Sequence, residues 1–344
     1  MAARFFLSIF LMLLLGRGTE GLRHRRHHLP KRLFVFGDSY ADTGNIWKGL
    51  ASCWKSPYGS TFPGKPAGRF SDGRVITDFV ATYLGVPSPV PYRLRRLAGD
   101  RRRYGINFAY GGTGVFDTIY PLPNMTTQID FLEEEIKAGT YRPRQLRSSM
   151  ALISLAGDDY VSYLNFHNGT VAGLRSFVRS VVDQIEVDLQ RLIRLGVGRI
   201  GVLGLGPAGC VPIMTQNTSY SSCMEAFNQD AAYHNALLHK AINVINAHPS
   251  RPSRIAVFDM FDTLQALVHR HNKLRQGIEG TLRPCCIGTA AGSSCGDTDG
   301  NGKPLYKVCD DPGKAVFWDG NHPTQATWTT IFQSFRPTLQ HLFS

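Results

Sequence analysis

Short apolar runs alternate along this chain with longer runs of helical periodicity, and this alternation limits the folds open to it. In one longer run Leu174, Val178, Val181 and Ile185 recur at the spacing of one helix face. Alternating strands and helices indicate a mostly parallel sheet covered by helices on both faces. Strands are expected at residues 33–36, 106–109, 151–155, 200–203 and 255–258, and helices at 75–84, 126–138, 171–195, 224–248, 261–271 and 325–342.

The first expected strand ends at Gly37, and Ser39 follows two residues later. Because glycine permits a sharp turn, Ser39 would project from the carboxyl edge of the sheet, where open α/β folds bind their ligands. Near the other end of the chain, Asp319 precedes His322 by three residues. At this spacing the carboxylate can hold the imidazole in one tautomer while the imidazole takes a proton from a serine. The pattern predicts nucleophilic catalysis by Ser39.

The chain order serine, aspartate, histidine also occurs in α/β-hydrolases, but those proteins carry Gly-x-Ser-x-Gly. Residues 37–41 read Gly-Asp-Ser-Tyr-Ala, and the serine follows the first strand of the domain rather than a middle one. A flavodoxin-like arrangement therefore fits better. We expect a three-layer α/β/α sandwich with a mostly parallel five-stranded sheet.

A set of short motifs, in a fixed order, covers nearly the whole chain from Phe34 to Trp328. In this order they resemble the secreted GDSL (SGNH hydrolase) esterase/lipase family in its plant branch. The family is named after the sequence Gly-Asp-Ser-Leu, and Tyr40 takes the place of that leucine here. The motifs are residues 36–45 around Ser39, the glycine-rich residues 62–74, residues 105–114, 154–160 and 204–210, and the closing residues 319–322.

The resemblance implies a serine ester hydrolase that forms an acyl-enzyme and needs neither a cofactor nor a metal ion. Ser39 would be the nucleophile, His322 its base and Asp319 the group that orients His322. The backbone N–H groups of Ser39 and of a glycine at 105–114 would donate to the oxyanion. Gly112 is favoured for this role, with Gly111 as the alternative.

The third motif departs from the family pattern. Family members have an asparagine whose amide gives a further oxyanion hydrogen bond, and Asp158 takes its place here, with Asp159 at the family's aspartate. A carboxylate has no N–H to donate, and the loss of one such donor lowers the rate by about 10²–10³. A desolvated carboxyl beside Asp159 would instead stay protonated and donate. The two alternatives predict different pH profiles.

The amino terminus and three sequons favour secretion. We expect a signal peptide at residues 1–21, a basic disordered tail at 22–32 and a single hydrolase domain at 33–344. Asn124, Asn168 and Asn217 lie in Asn-x-Ser/Thr sequons. No later segment has the roughly 20 apolar residues of a membrane span. The expected location is extracellular, in the cell wall or apoplast, with the vacuole as the alternative.

The cysteine spacing predicts disulfides rather than a zinc site, because the chain lacks a paired Cys-x-x-Cys. Cys210 and Cys223 are the expected first pair. The partners of Cys285 and Cys286 are expected among Cys295 and Cys309, in an order that the sequence leaves open. Cys53 is then the unpaired cysteine.

Two basic runs carry +10 of the net charge of +12, at residues 23–32 and 93–103. They are interpreted either as a solvated tail and loop or as a surface that attracts an anionic wall polysaccharide. Nucleic acid is not an expected partner, because no aromatic residues interleave with the charges.

The expected substrates are small-molecule or polymer esters, either lipid acyl esters or acylated cell-wall polysaccharide. The alternative is a catalytically impaired relative, with Asp158 in the oxyanion site, that binds a wall polymer or lipid.

Overall fold

The structure is a computed structural model that describes residues 29–166, 169–248, 254–274 and 282–344. Its central sheet is parallel, in the order β2-β3-β1-β4-β5-β6. The five expected strands are confirmed. The sixth strand, β2, has two residues and contains a proline, so it leaves no pattern in the sequence. The strands are β1 Leu33–Gly37, β2 Val90–Pro91, β3 Ile106–Asn107, β4 Met150–Ser154, β5 Arg199–Leu203 and β6 Arg254–Phe258.

Helices pack around this sheet, and the six expected ones are present with ends shifted by at most a few residues. The helices α3, α4 and α6 were not expected: α3 and α6 have at most five residues, too few turns to display an apolar stripe, and α4 begins with Gly157, Asp158 and Asp159, which break such a stripe. The helices are α1 Ile76–Leu84, α2 Met125–Lys137, α3 Pro143–Arg147, α4 Gly157–Phe166, α5 Val171–Arg194, α6 Pro212–Thr215, α7 Glu225–Asn246, α8 Phe261–Leu274 and α9 Gln325–Leu342.

The residues of β1 alternate between two apolar cores, as the pleat of a strand requires. Phe34 and Phe36 pack in one core with residues of α2, α5 and α7. Leu33 and Val35 pack in the other with residues of α1, α8 and α9. Helices therefore cover both faces of the sheet, and the predicted three-layer α/β/α architecture is confirmed.

The strand order places the crevice of the sheet beside Ser39. Without the short edge strand β2, the order is that of a flavodoxin-like sheet, in which the chain reverses direction across the sheet between β1 and β4. Ligands of open α/β sheets bind at this switch point, outside the carboxyl ends of the strands. Ser39 follows β1 and Asp158 follows β4, so both lie at the switch point.

Three disulfides link the loops between the later strands and helices. The Cys210–Cys223 pair is confirmed, and the order that the sequence left open is Cys285–Cys309 and Cys286–Cys295. Cys53 is free and buried. Two of the paired cysteines flank a small antiparallel hairpin formed by β7 Cys286–Gly288 and β8 Tyr306–Val308.

The features expected of a secreted glycoprotein fall partly within the described residues. Asn124 caps α2 through its side chain, and Asn217 is exposed. Asn168, the predicted signal peptide and most of the basic tail lie outside the described residues. In the described part of the chain, each helix is too short or too polar to cross a bilayer.

Candidate active site

The turn after β1 depends on Gly37, whose φ is +134°. A Cβ atom at this position would lie 1.9 Å from the carbonyl oxygen of Ser154 on the neighbouring strand β4. The same carbonyl accepts a hydrogen bond from the Asp38 N–H at 3.0 Å. Glycine is therefore required for the chain to change direction as it leaves the sheet. The resulting turn places Ser39, half-buried, at the carboxyl edge.

The structure brings Ser39, His322 and Asp319 together, although 283 positions separate Ser39 from His322. His322 Nε2 lies 2.8 Å from Ser39 Oγ. His322 Nδ1 lies 2.7 Å from Asp319 Oδ1 and 2.9 Å from Oδ2. With Nδ1 donating its proton to the carboxylate, Nε2 is free to accept the serine proton, which is the arrangement that a serine nucleophile needs.

Asp319 is held as a carboxylate by donors on both of its oxygens. Oδ1 accepts from the backbone N–H groups of Asn321 and His322, each at 2.9 Å. Oδ2 accepts from the Tyr58 hydroxyl at 2.6 Å. Burial by itself would raise the pKa of the Asp319 carboxyl. The charge of His322 and these hydrogen bonds outweigh burial and hold the pKa below its usual value.

The disulfide-bonded loop supports the backbone that leads to Asp319. The N–H of Cys285 donates to the Phe317 carbonyl at 2.9 Å, and that of Cys286 donates to the Trp318 carbonyl at 2.7 Å. The Trp318 N–H in turn donates to the His322 carbonyl at 2.7 Å, which closes the turn between Asp319 and His322. Both cysteines are in disulfides. Covalent bonds therefore anchor the backbone segment that is hydrogen-bonded to the residues just before Asp319.

The glycine-rich stretch at residues 62–74 supports the other side of the same turn. Ser71 Oγ donates to the Pro323 carbonyl at 3.0 Å, and Asp72 Oδ1 accepts from the Gln325 N–H at 2.8 Å. The Phe70 ring lies 4.9 Å from the His322 imidazole. The stretch thus fixes the start of α9, immediately after His322.

The backbone N–H groups expected at the oxyanion can be compared directly. Gly111 N–H donates to Asp42 Oδ2 at 3.0 Å, so it is already engaged. The N–H groups of Ser39 and Gly112 have no acceptor among the described residues. Gly112 has φ +85°, and a Cβ atom there would lie 2.7 Å from the Tyr120 ring. Of the two glycines, Gly112 is the one with an N–H free to bind an oxyanion.

Asp158 lies in the first turn of α4, within electrostatic range of His322. Burial raises the pKa of its carboxyl to about 6, and the charge of His322 opposes that rise. Its side chain has no hydrogen-bond partner among the described residues. The neighbouring Asp159 is engaged instead, because it accepts the N–H groups of Val115 at 2.8 Å and Phe116 at 2.9 Å. Asp159 therefore holds α4 against the backbone that follows the motif at residues 105–114, whereas Asp158 is available to a ligand.

Two residues that support the site were not singled out from the sequence. Gln128 of α2 accepts from the Gly37 N–H at 2.7 Å and donates to the Gly37 carbonyl at 3.0 Å, which fixes the turn before Ser39. Tyr58 donates to Asp319. Neither has a local signal in the sequence for this role, because each acts on a distant position.

Comparison with known proteins shows the family of this chain. The model of the GDSL-like Lipase/Acylhydrolase family matches residues 33–335. The chain is 46% identical to the GDSL esterase/lipase At5g03610 of Arabidopsis thaliana, over 97% of this chain and 96% of that protein. It is 43% identical to the GDSL esterase/lipase At3g09930 of Arabidopsis thaliana, over 98% and 97%.

Among solved structures, Axe2, an acetylxylan esterase from Geobacillus stearothermophilus, aligns over 89% of this chain and 93% of that chain. The identity is 12% and the TM-score 0.40, which is too low to support an argument. The family model and the two plant proteins span nearly the whole chain, and on that ground this chain belongs to the GDSL-like lipase/acylhydrolase family.

Proposed function

We propose that the protein is a serine carboxylic ester hydrolase that acts through an acyl-enzyme. The observation that carries this proposal is the hydrogen-bonded series from Ser39 through His322 to Asp319, with contacts of 2.8 and 2.7 Å. His322 Nε2 takes the Ser39 proton as Oγ bonds to the acyl carbon. The N–H groups of Ser39 and Gly112 donate to the resulting oxyanion.

The tetrahedral intermediate then collapses, and the ester C–O bond breaks. His322 returns its proton to the departing alcohol, which leaves the acyl group on Ser39. Water next attacks the acyl carbon while His322 accepts a water proton. The second collapse releases the carboxylic acid and restores the Ser39 hydroxyl with that proton.

The proposed substrates are lipid acyl esters or acylated cell-wall polysaccharide. Two aromatic rings border Gly111 and Gly112 and offer an apolar wall to an acyl group. Phe70 packs against Gly111 and Tyr120 against Gly112. The alternative, an impaired relative that binds without turnover, is not favoured, because the three side chains are hydrogen-bonded to one another and both oxyanion N–H groups are free.

A fluorophosphonate probe and short p-nitrophenyl esters, used from pH 4 to pH 8, test the proposal. We expect covalent labelling and turnover in the wild type and neither in Ser39→Ala. Ser180→Ala, on the exposed surface of α5, is the matched control and should retain both. Absence of labelling at every pH would contradict the esterase function.

We further propose that the protein is secreted and is attracted to an anionic wall polysaccharide. Disulfides are typical of oxidising compartments. In the described basic run, Arg93, Arg96, Arg101 and Arg103 are exposed and make no ion pair with any described residue. Arg95 and Arg102 pair with Glu135, and Arg93 donates to the Ile46 carbonyl at 3.1 Å, so part of the run is structural. The charges of Arg96, Arg101 and Arg103 are available to a polyanion.

A further inference from the structure

A buried tyrosine lies behind the aspartate and histidine of the site. Tyr58 is 4% exposed, and its hydroxyl donates to Asp319 Oδ2 at 2.6 Å. We propose that Tyr58 is a positioning residue for ester hydrolysis, which keeps the Asp319 carboxylate ionised and turned toward His322. This inference rests on the proposed function and goes beyond it.

The two oxygens of Asp319 are satisfied by different parts of the chain. Oδ1 is held by its own turn, through the N–H groups of Asn321 and His322. Oδ2 receives Tyr58, from a loop 261 positions away, in addition to the longer contact with His322 Nδ1. Tyr58 belongs to an apolar cluster with Cys53 and Trp318, so without its hydroxyl Oδ2 would keep only the contact with His322 Nδ1. Because a buried carboxylate needs donors on both oxygens, Tyr58 sets the rotation of the carboxylate and so the orientation of the imidazole.

Tyr58 is itself held firmly in place. Its N–H donates to the Lys55 carbonyl at 3.1 Å, and its ring packs edge-on against Trp318 with centroids 5.8 Å apart. Burial, reinforced by the negative charge of Asp319, raises the pKa of the Tyr58 hydroxyl well above its ordinary value. The hydroxyl therefore keeps the proton that it donates throughout the working pH range.

Removal of this hydroxyl has a defined effect on the pH profile. It raises the pKa of Asp319, because one donor to the ionised form is lost. The loss therefore moves the acid limb of kcat/KM to higher pH. The other titratable groups near this pair or near Tyr58 are Tyr40, Cys53, Asp158 and Asp297, and all of them remain in the variant.

Tyr58→Phe tests the proposal, with Tyr141→Phe as the matched control. Tyr141 is 2% exposed and its hydroxyl donates to the Arg102 carbonyl at 2.8 Å, so a similarly buried tyrosine loses a hydrogen bond that has no link to Asp319. Both variants keep the aromatic ring, and we expect both to fold. With p-nitrophenyl acetate, kcat of Tyr58→Phe should fall about tenfold with little change in KM, and the acid limb should shift upward. Tyr141→Phe should keep the wild-type profile.

A double-mutant cycle separates positioning through Asp319 from a general loss of structure. In the Asp319→Asn background, Tyr58→Phe should lower kcat no further. An equal fall in that background, or a wild-type pH profile in Tyr58→Phe alone, would overturn the proposal. Failure of the wild type to react with a fluorophosphonate would instead refute the esterase function, so the two failures are distinguishable.

Discussion

We propose that Asp158 controls the stabilisation of the oxyanion, because a protonated carboxyl donates a hydrogen bond and a carboxylate does not. Burial raises its pKa to about 6, against the opposing charge of His322. The carboxyl is therefore mostly protonated below this pH and loses its proton as the pH rises through it. Activity should therefore fall on the alkaline side of about pH 6.

Asp158→Asn should remove that alkaline limb, since an amide donates at every pH. At pH 8 we expect kcat to rise by up to about 10²–10³, the effect of one oxyanion donor, with little change at pH 5. The measurement is kcat against pH for p-nitrophenyl esters. Asp188→Asn is the control, because burial also raises the pKa of Asp188 to about 6 on α5. An unchanged alkaline limb in Asp158→Asn would assign that limb to another group.

At the residue scale, the sequence was enough to predict Ser39, Asp319 and His322. Ser39 follows a glycine at the end of a strand, and Asp319 precedes His322 by the spacing that a catalytic pair needs. It favoured Gly112 over Gly111 for the oxyanion, and the engaged N–H of Gly111 supports that choice. It passed over Tyr58 as a functional residue, because a contact across 261 positions has no local pattern.

At the element scale, the longer strands and helices were predictable. Both faces of the sheet are buried, so its strands and the helices that cover them need apolar residues at regular positions. The helix α4 was not, although it carries Asp158 and Asp159. The order of the last two disulfides also depended on how the hairpin of β7 and β8 folds back. Short, irregular elements near the site are therefore where prediction failed.

The disulfide loop offers a test at this scale. Because the Cys286 N–H bonds to the Trp318 carbonyl next to Asp319, Cys286→Ser combined with Cys295→Ser should loosen the catalytic turn. We expect a loss of about 2–3 kcal/mol in the free energy of unfolding, measured by urea denaturation, together with a lower kcat at temperatures where circular dichroism shows an intact fold. A variant with lowered stability and wild-type kcat would show that the disulfide stabilises the fold without positioning the site.

At the scale of the whole molecule, the excess of positive charge predicts binding to an anionic polymer. We expect retention on immobilised polygalacturonate that weakens as NaCl is raised, because salt screens exposed charges. The triple variant Arg96→Gln, Arg101→Gln, Arg103→Gln should lose more retention than a control triple variant. The control is Lys65→Gln, Lys303→Gln, Lys307→Gln, whose lysines are also exposed. Equal losses in the two triple variants would mean that binding follows net charge alone.

The placement of the three disulfides separates the loops around the site from the scaffold beneath them. All of them lie among the loops beyond the carboxyl ends of the strands, and the sheet and its helical layers are held by apolar packing. Chemical reduction would therefore loosen the loops that carry the site and leave the scaffold in place. The proposed esterase activity should accordingly be more sensitive to thiol reductants than the fold is.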